Sequence, residues 1–237
     1  AVADVLEECG RKGVRAAVVI SAGFRETGPA GQALEDRVRE VAARHGIRLL
    51  GPNCLGVIDT ICPINASFAA TMPARGAIAV LSQSGALMTA MLDWADLHGV
   101  GFSRMVSLGN KADLTEIDFM EAWQDDEASR VVVGYLEGVE NGQRFIEVAR
   151  DLVRRKPALV MKSGSTEAGA RAASSHTGTL AGSEAAYTAA FRQAGVIRAR
   201  SVADLLDDAT VFASQPLPEA NRVAVVTNAG GPGIMAT

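Results

Sequence analysis

The fold is decided by residues 77–100, which read AIAVLSQSGALMTAMLDWADLHGV. The apolar run AIAVL is followed by a Ser-Gly turn and then by apolar residues at helical spacing. A short buried strand that leads through a tight turn into a helix is the repeating unit of a parallel α/β sheet. The segment therefore predicts a strand at 77–82 and a helix at 85–98.

The same alternation of strand and helix patterns continues in both directions along the chain. Further strands are predicted at 14–20, 47–50, 102–107, 131–136, 158–162 and 222–227. Further helices are predicted at 1–12, 31–45, 115–125, 142–155, 183–194 and 201–213. Continuous apolar strands between amphipathic helices indicate a parallel sheet that is covered on both faces. The predicted fold class is α/β.

Two stretches rich in turn residues are interpreted as boundaries. They are GPNCLGVIDTICPINASFAATMPARG at 51–76 and SQPLPEAN at 214–221. The first helix has no strand before it, and the predicted strand 222–227 is followed only by the glycine turn NAGGPGIMAT. Because a terminal strand without a covering helix leaves an exposed sheet edge, we expect the sequence to be part of a longer polypeptide.

Composition narrows the class of protein. The 237 residues are 48% hydrophobic and 21% charged and carry a net charge of -4, which argues against nucleic acid or a membrane surface as a partner. The longest apolar runs have strand length, and the opening AVADVLEECGRKG does not read as a signal peptide. The three cysteines, Cys9, Cys54 and Cys62, are too few and too irregular for a disulfide frame or a zinc site. A reducing cytoplasm is the predicted location, with no metal ligand on this chain.

Candidate chemistry lies in the loops that follow strands, because open α/β sheets bind ligands beyond the carboxyl ends of their strands. The turn with Ser82, Ser84 and Gly85 opens directly into a helix, whose free amide groups and positive dipole end favour an anion. Taken alone, Ser84 is better interpreted as a helix cap than as part of an anion site.

Two other loops carry an acid and a histidine. Glu137 follows the strand at 131–136, and His176 lies in the long loop SGSTEAGARAASSHTGTLAG, residues 163–182. Alone, the acid reads as a solvated side chain and the histidine as incidental. Together with the helix start they form a phosphoryl-transfer set, because a carboxylate on one ring nitrogen of imidazole leaves the other free to attack.

Five motifs in order, GPNCLGVI, LSQSGAL, SLGNKADL, YLEGVENG and SSHTGTLAG, resemble the NDP-forming acyl-CoA synthetases. These include ADP-forming acetyl-CoA synthetases and, more distantly, the α subunit of succinyl-CoA synthetase. The resemblance covers essentially the whole chain. It implies that residues 1–66 are part of a Rossmann-like CoA-binding domain. Residues 73–214 would be a flavodoxin-like ligase domain, and residues 220–237 would begin a second flavodoxin-like domain.

The reaction implied by the resemblance is acyl-CoA + phosphate + NDP ⇌ carboxylic acid + CoA + NTP, through acyl phosphate and phosphohistidine. The phosphohistidine of the family matches His176, and the acid that stabilises it matches Glu137. The phosphate-binding helix start matches Ser82, Ser84 and Gly85, and the CoA contacts match Ser21, Ala22 and Gly23. Substrate-proximal positions match Asn53, Asn110 and Thr89. A tyrosine replaces Thr89 in succinyl-CoA synthetases, so the threonine favours acetate or another small acid over succinate.

The resemblance also implies ligands and partners. These are CoA and its acyl thioester, a small carboxylic acid, phosphate, and ATP or ADP with Mg²⁺ on an ATP-grasp domain or subunit outside this chain, in an oligomer. Three alternatives stay open. They are an acyl-CoA-sensing region of a protein N-acetyltransferase, a CoA-ligating relative that acts on an unusual acid, and a structural interaction module.

Overall fold

The structure is a computed structural model that describes residues 1–164 and 183–236. Its helices are α1 (Val2–Arg11), α2 (Pro29–His45), α3 (Gly85–His98), α4 (Glu116–Trp123), α5 (Gly142–Val153), α6 (Glu184–Ala194), α7 (Val202–Ser214) and α8 (Gly230–Met235). Its strands are β1 (Ala16–Val18), β2 (Arg48–Leu50), β3 (Gly56–Asp59), β4 (Ile64–Ser67), β5 (Arg75–Ser82), β6 (Phe102–Ser107), β7 (Val131–Leu136), β8 (Ala158–Lys162) and β9 (Ile197–Arg198). A short 3₁₀ helix spans Arg25–Thr27.

The strands form two sheets. Strands β1 and β2 make a smaller parallel sheet, and the larger sheet has the order β4-β3-β6-β5-β7-β8-β9. Strands β5 to β9 run parallel, whereas β3 and β4 are antiparallel additions at one edge. This arrangement confirms the predicted α/β class with a mostly parallel sheet. In the described parts of the chain, no helix has both the length and the apolar character that crossing a bilayer requires.

Both faces of the larger sheet are covered by helices, as the continuous apolar strands predict. One face packs against α4, α5 and α6, with Trp123, Phe145 and Phe191 in its core. The other face packs against α3 and α7. In the smaller sheet, Leu49 is fully buried under α1 and α2. Buried faces on both sides hold the strand ends in register, and those ends position the candidate site.

Residues 51–76, interpreted from the sequence as a boundary, contain a hairpin of the larger sheet. Strand β3 pairs with β4 from Gly56 and with β6 from Val57, so the larger sheet includes residues that precede residue 66. The turn is closed by Asp59, whose Oδ1 accepts the amides of Ile61 and Cys62 at 2.7 and 2.9 Å. Arg104 of β6 pairs with the same carboxylate at 3.1 Å. Strands β3 and β4 are too short for an alternating pattern of apolar and polar residues to be recognised in the sequence.

The strand predicted at 222–227 is wrong. These residues form no strand in the structure, and Val223 and Val226 are 88% and 95% exposed. A β-branched run has the propensity for a strand, but the strand forms only where a neighbour supplies hydrogen bonds and a packing surface. No strand in the described residues pairs with this segment.

Candidate functional site

The site lies where the parallel strands of the larger sheet end, an edge that we call the carboxyl edge. The pairing register places Ser82 of β5 opposite Ser107 of β6 and Tyr135 of β7. Leu136 of β7 pairs in turn with Lys162 of β8. The residues that follow these strands therefore meet at one place, as the rule for open α/β sheets predicts.

The turn after β5 directs its serine oxygens inward and leaves amides facing out. Buried Ser82 accepts the Ser84 amide with Oγ at 3.1 Å and donates to the Ser84 carbonyl at 2.8 Å. Ser84 caps α3 by accepting the Leu87 amide at 3.2 Å. Within the described residues, the amides of Gly85 and Ala86 have no hydrogen-bond acceptor, and Ala86 is exposed. Ser84 is thus a cap, and the helix start still offers two free donors to an anion.

The backbone at Glu137 is held from two sides. The side-chain oxygen of Gln83 accepts the amide of Glu137 and, at 3.0 Å, that of Gly138. From the other side, Lys111 donates to the Gly138 carbonyl at 2.9 Å, and its ammonium pairs with Glu116 at 3.0 Å. The sequence analysis missed Gln83 and Lys111. Their signal was their position inside the motifs LSQSGAL and SLGNKADL.

A buried cation also lies at the carboxyl edge. Lys162 is 5% exposed, sits 4.7 Å from the ring centre of Tyr187 and donates to the Ser163 carbonyl. Burial lowers the pKa of Lys162, while the carboxylates of Glu184 and Glu137 favour its charged form. The sequence analysis did not name this residue, although a lysine that ends the apolar run ALVMK was the available signal.

The two predicted substrate-proximal asparagines take part in a polar network between the sheets. Asn53 donates to the Asn110 side-chain oxygen at 3.2 Å. The Asn110 nitrogen donates to Glu26 at 2.6 Å and to Glu35 at 2.8 Å. Burial alone would raise the pKa of Glu26. The hydrogen bonds from Asn110 and from backbone amides together outweigh burial, so the pKa of Glu26 lies below its usual value. That Asn53 and Asn110 lie close to the substrate remains a prediction.

Of the remaining predicted residues, the structure describes Thr89 but not His176. Thr89 is exposed on α3 and donates to the Gly85 carbonyl at 3.2 Å, one helical turn from the free amides. His176 lies outside the described residues, so its role also stays a prediction.

The predicted CoA-contact segment, Ser21 to Gly23, is exposed beyond the end of β1. The Ser21 carbonyl accepts the Asn53 amide at 2.9 Å, and Glu26 accepts the Gly23 amide at 2.6 Å. A cavity of about 230 Å³ beside the segment has Leu34 and Val38 in its wall. Ligand pockets usually measure about 300–1,000 Å³, so this cavity fits only part of a molecule such as CoA.

A cavity of about 800 Å³ lies between α2 and the loop 111–115. Its charged side chains already have partners: Arg25 pairs with Glu35 at 3.6 Å, and Lys111 pairs with Glu116 at 3.0 Å. The free amides at 85–86 do not line it. The turn after β5 is the better candidate site because it offers accessible donors, and its Gln83 holds the backbone of Glu137 in the neighbouring turn.

Comparison with known families agrees with this fold. Residues 75–212 match the succinyl-CoA ligase like flavodoxin domain, and residues 1–60 match a CoA binding domain. The chain therefore belongs to the succinyl-CoA ligase-like flavodoxin family, whose model matches more than half of its length.

Individual relatives are similar over nearly the whole chain. Acetate–CoA ligase [ADP-forming] I of Archaeoglobus fulgidus is 54% identical across 99% of this chain and 34% of its own length. The ligase I subunit alpha of Pyrococcus furiosus is 46% identical across 100% of this chain and 51% of its own length. A solved acetyl-coenzyme A synthetase 1 from Ca. Korarchaeum cryptofilum, in complex with phosphate and ADP, has a TM-score of 0.94 and 42% identity, over 100% of this chain and 51% of that one. The chain thus spans about a third to a half of these relatives.

Proposed function

We propose that this chain is the CoA-binding and phosphoryl-accepting part of an ADP-forming acyl-CoA synthetase. The complete protein would interconvert acyl-CoA, phosphate and ADP with a carboxylic acid, CoA and ATP. The observation that carries the proposal is the pair of free amides at Gly85 and Ala86, at the same sheet edge as the braced Glu137. The similarity to acetate–CoA ligases favours acetate or another small acid as the substrate.

The free amides suit the first chemical step. Phosphate bound at the start of α3 attacks the thioester carbonyl, the C–S bond breaks, and CoA leaves as its thiol with the proton released by phosphate. Fixed backbone dipoles stabilise the anion without reorganising during the reaction. Ser82 and Ser84 would act by shaping the turn, while the amides of Gly85 and Ala86 bind the oxygens.

His176 would take the phosphoryl group from the acyl phosphate. One ring nitrogen attacks phosphorus, the bond to the acyl oxygen breaks, and the carboxylate leaves. Glu137 would accept a hydrogen bond from the other ring nitrogen and stabilise the positive charge that develops on the ring. This assignment rests on the motif SSHTGTLAG and on the family resemblance.

The remaining ligands belong to this proposal in the same way. Ser21, Ala22 and Gly23 would hold part of CoA through exposed peptide groups beside an apolar wall. ADP would accept the phosphoryl group on an ATP-grasp domain or subunit, where Mg²⁺ would neutralise phosphate charge. We place the protein in the cytoplasm, as part of an oligomer with that domain or subunit.

The proposal is tested by incubating the complete protein, with its ATP-grasp part, with Mg²⁺ and ATP labelled in the γ-phosphate. We expect an acid-labile, base-stable phosphoprotein that disappears in His176→Asn. Glu137→Gln should slow labelling by about one to two decades, because a hydrogen bond to a charged group contributes about 1.5–3 kcal/mol. Labelling that persists in His176→Asn would refute the assignment. An unlabelled wild type that still binds acyl-CoA would favour the sensing alternative.

A further inference from the structure

We propose that Gln83 is a positioning residue that fixes Glu137 relative to the phosphate-binding amides, an inference that rests on the proposed function. Gln83 lies between Ser82 and Ser84 in the turn after β5, and its side chain crosses to the turn after β7. Within the described residues, Gln83 alone links the two turns: its backbone belongs to the turn with the free amides, and its side chain holds the backbone of Glu137.

The geometry of this link is specific. The Gln83 amide donates to the Tyr135 carbonyl at 3.0 Å, which extends the pairing of β5 with β7 by one residue. Its side-chain oxygen then accepts two successive amides, those of Glu137 and Gly138. A carboxamide oxygen has two lone pairs, so both are used. The side-chain nitrogen makes no hydrogen bond within the described residues and remains available as a donor.

The two amides need this acceptor. They lie beyond the end of β7, where the strand ladder no longer pairs them, and Gly138 is buried. A buried donor without a partner destabilises its conformation, so loss of the Gln83 oxygen would let the backbone at 137–138 move. Lys111 holds the Gly138 carbonyl on the other side, and the Tyr187 hydroxyl accepts the amide of the next residue, Val139, at 3.1 Å. Gln83 is the side chain that holds the amides of Glu137 and Gly138 themselves, so its loss would shift the acid relative to the amides of α3.

The same contact also has a purely structural interpretation, in which Gln83 only satisfies two amides. The two interpretations differ in kinetics. If Gln83 positions the acid, its loss slows phosphoryl transfer in molecules that remain folded, because displacing a reacting group by about 1 Å costs up to roughly a hundredfold in rate. If its role is only structural, stability falls and the rate per folded molecule stays the same.

The test uses Gln83→Met and Gln83→Glu in the complete protein with its ATP-grasp part. Methionine keeps the length of the side chain and removes the acceptor. Glutamate keeps an oxygen for both amides and places a negative charge beside the phosphate site. Gln124→Met is the matched control, because this part-buried glutamine donates to the Val148 carbonyl at 3.5 Å, away from the carboxyl edge.

Four quantities are measured for each variant: the labelling of His176 by ATP, kcat and KM for phosphate in the acyl-CoA-consuming direction, and the folded fraction by circular dichroism. Gln83→Met should lower kcat and the labelling rate by about ten- to a hundredfold per folded molecule. Gln83→Glu should retain much of kcat and raise KM for phosphate. Gln124→Met should match the wild type.

The outcomes separate this inference from the proposed function. A wild type without label would refute the proposed function itself. Normal labelling in the wild type together with a normal rate in folded Gln83→Met would overturn only the role of Gln83. A kcat in folded Gln83→Glu as low as that expected for Gln83→Met would overturn it as well, because glutamate keeps the acceptor, and this measurement decides the matter if Gln83→Met does not fold.

Discussion

Lys162 shows at the scale of one residue how the carboxyl edge controls charge. Burial opposes the ammonium form and lowers its pKa, while Glu184 and Glu137 oppose that shift. The side chain also contacts the face of the Tyr187 ring, which favours a cation. A cation retained at this edge would suit a site that receives phosphate.

The lowered pKa of Lys162 predicts a pH dependence with a definite sign. Between its folded pKa and the usual value of 10.5, the unfolded chain binds more protons, so stability rises with pH over that window. Lys162→Met should lack this rise. We expect the free energies of unfolding, measured in urea at pH 7 to 10.5, to differ between wild type and variant by an amount that changes steadily with pH.

The control for this experiment is Lys12→Met, because Lys12 is exposed after α1. A pH-dependent difference of the same size in Lys12→Met would show that the effect does not depend on the burial of Lys162. A constant difference for Lys162→Met would mean that the folded and unfolded proteins hold the Lys162 proton equally.

At the scale of elements, the loop between β6 and α4 braces the site through a buried ion pair. The side chains of Lys111 and Glu116 are 2% and 1% exposed, and the ammonium also donates to the Gly138 carbonyl. Lys111 adopts a positive φ of 57°, which turns the chain between β6 and α4. The pair thus joins the start of α4 to the turn after β7.

Removing either partner of this pair should be costly, and removing both should cost less than the two losses added together. Lys111→Met or Glu116→Gln alone leaves a buried group without its partner, and such changes typically cost about 3–5 kcal/mol. The double variant should lose less than the sum of the two, as seen in a double-mutant cycle of urea unfolding. Additive losses would show that the two side chains do not interact energetically.

How far the elements could be predicted depended on where their stabilisation originates. The helices and central strands have apolar residues at regular spacing, so their existence followed from the sequence. The hairpin of β3 and β4 depends on pairing with β6, and the run at 222–227 has strand propensity without a pairing partner in the described chain. The same holds for the site. Ser82 ends a strand and Glu137 follows one, and both strands can be recognised from the sequence, whereas the role of Gln83 depends on the β5–β7 register.

At the scale of the whole molecule, the two sheets are joined by polar contacts around Asn110. Arg25 donates to the Asn110 carbonyl and lies 3.6 Å from the carboxylates of Glu35 and Glu140. Glu26 connects the same network to the Gly23 amide of the predicted CoA segment. A displacement of Gly23 would therefore alter the hydrogen bonds of Glu26 and, through them, those of Asn110 in the loop after β6.

This network predicts that Asn110→Leu loosens the smaller sheet selectively. The substitution removes hydrogen bonds to Glu26 and to the 1%-exposed Glu35, and a bond to a charged group contributes about 1.5–3 kcal/mol. The smaller sheet has only two three-residue strands, so it depends more on such contacts than the larger sheet does. Hydrogen exchange measured by mass spectrometry should accelerate at 16–18 and 48–50 and change little in β5 and β7. Gln32→Ala, which removes only an exposed bond to Asp36, is the control, and equal acceleration in both sheets would show that they open as one unit.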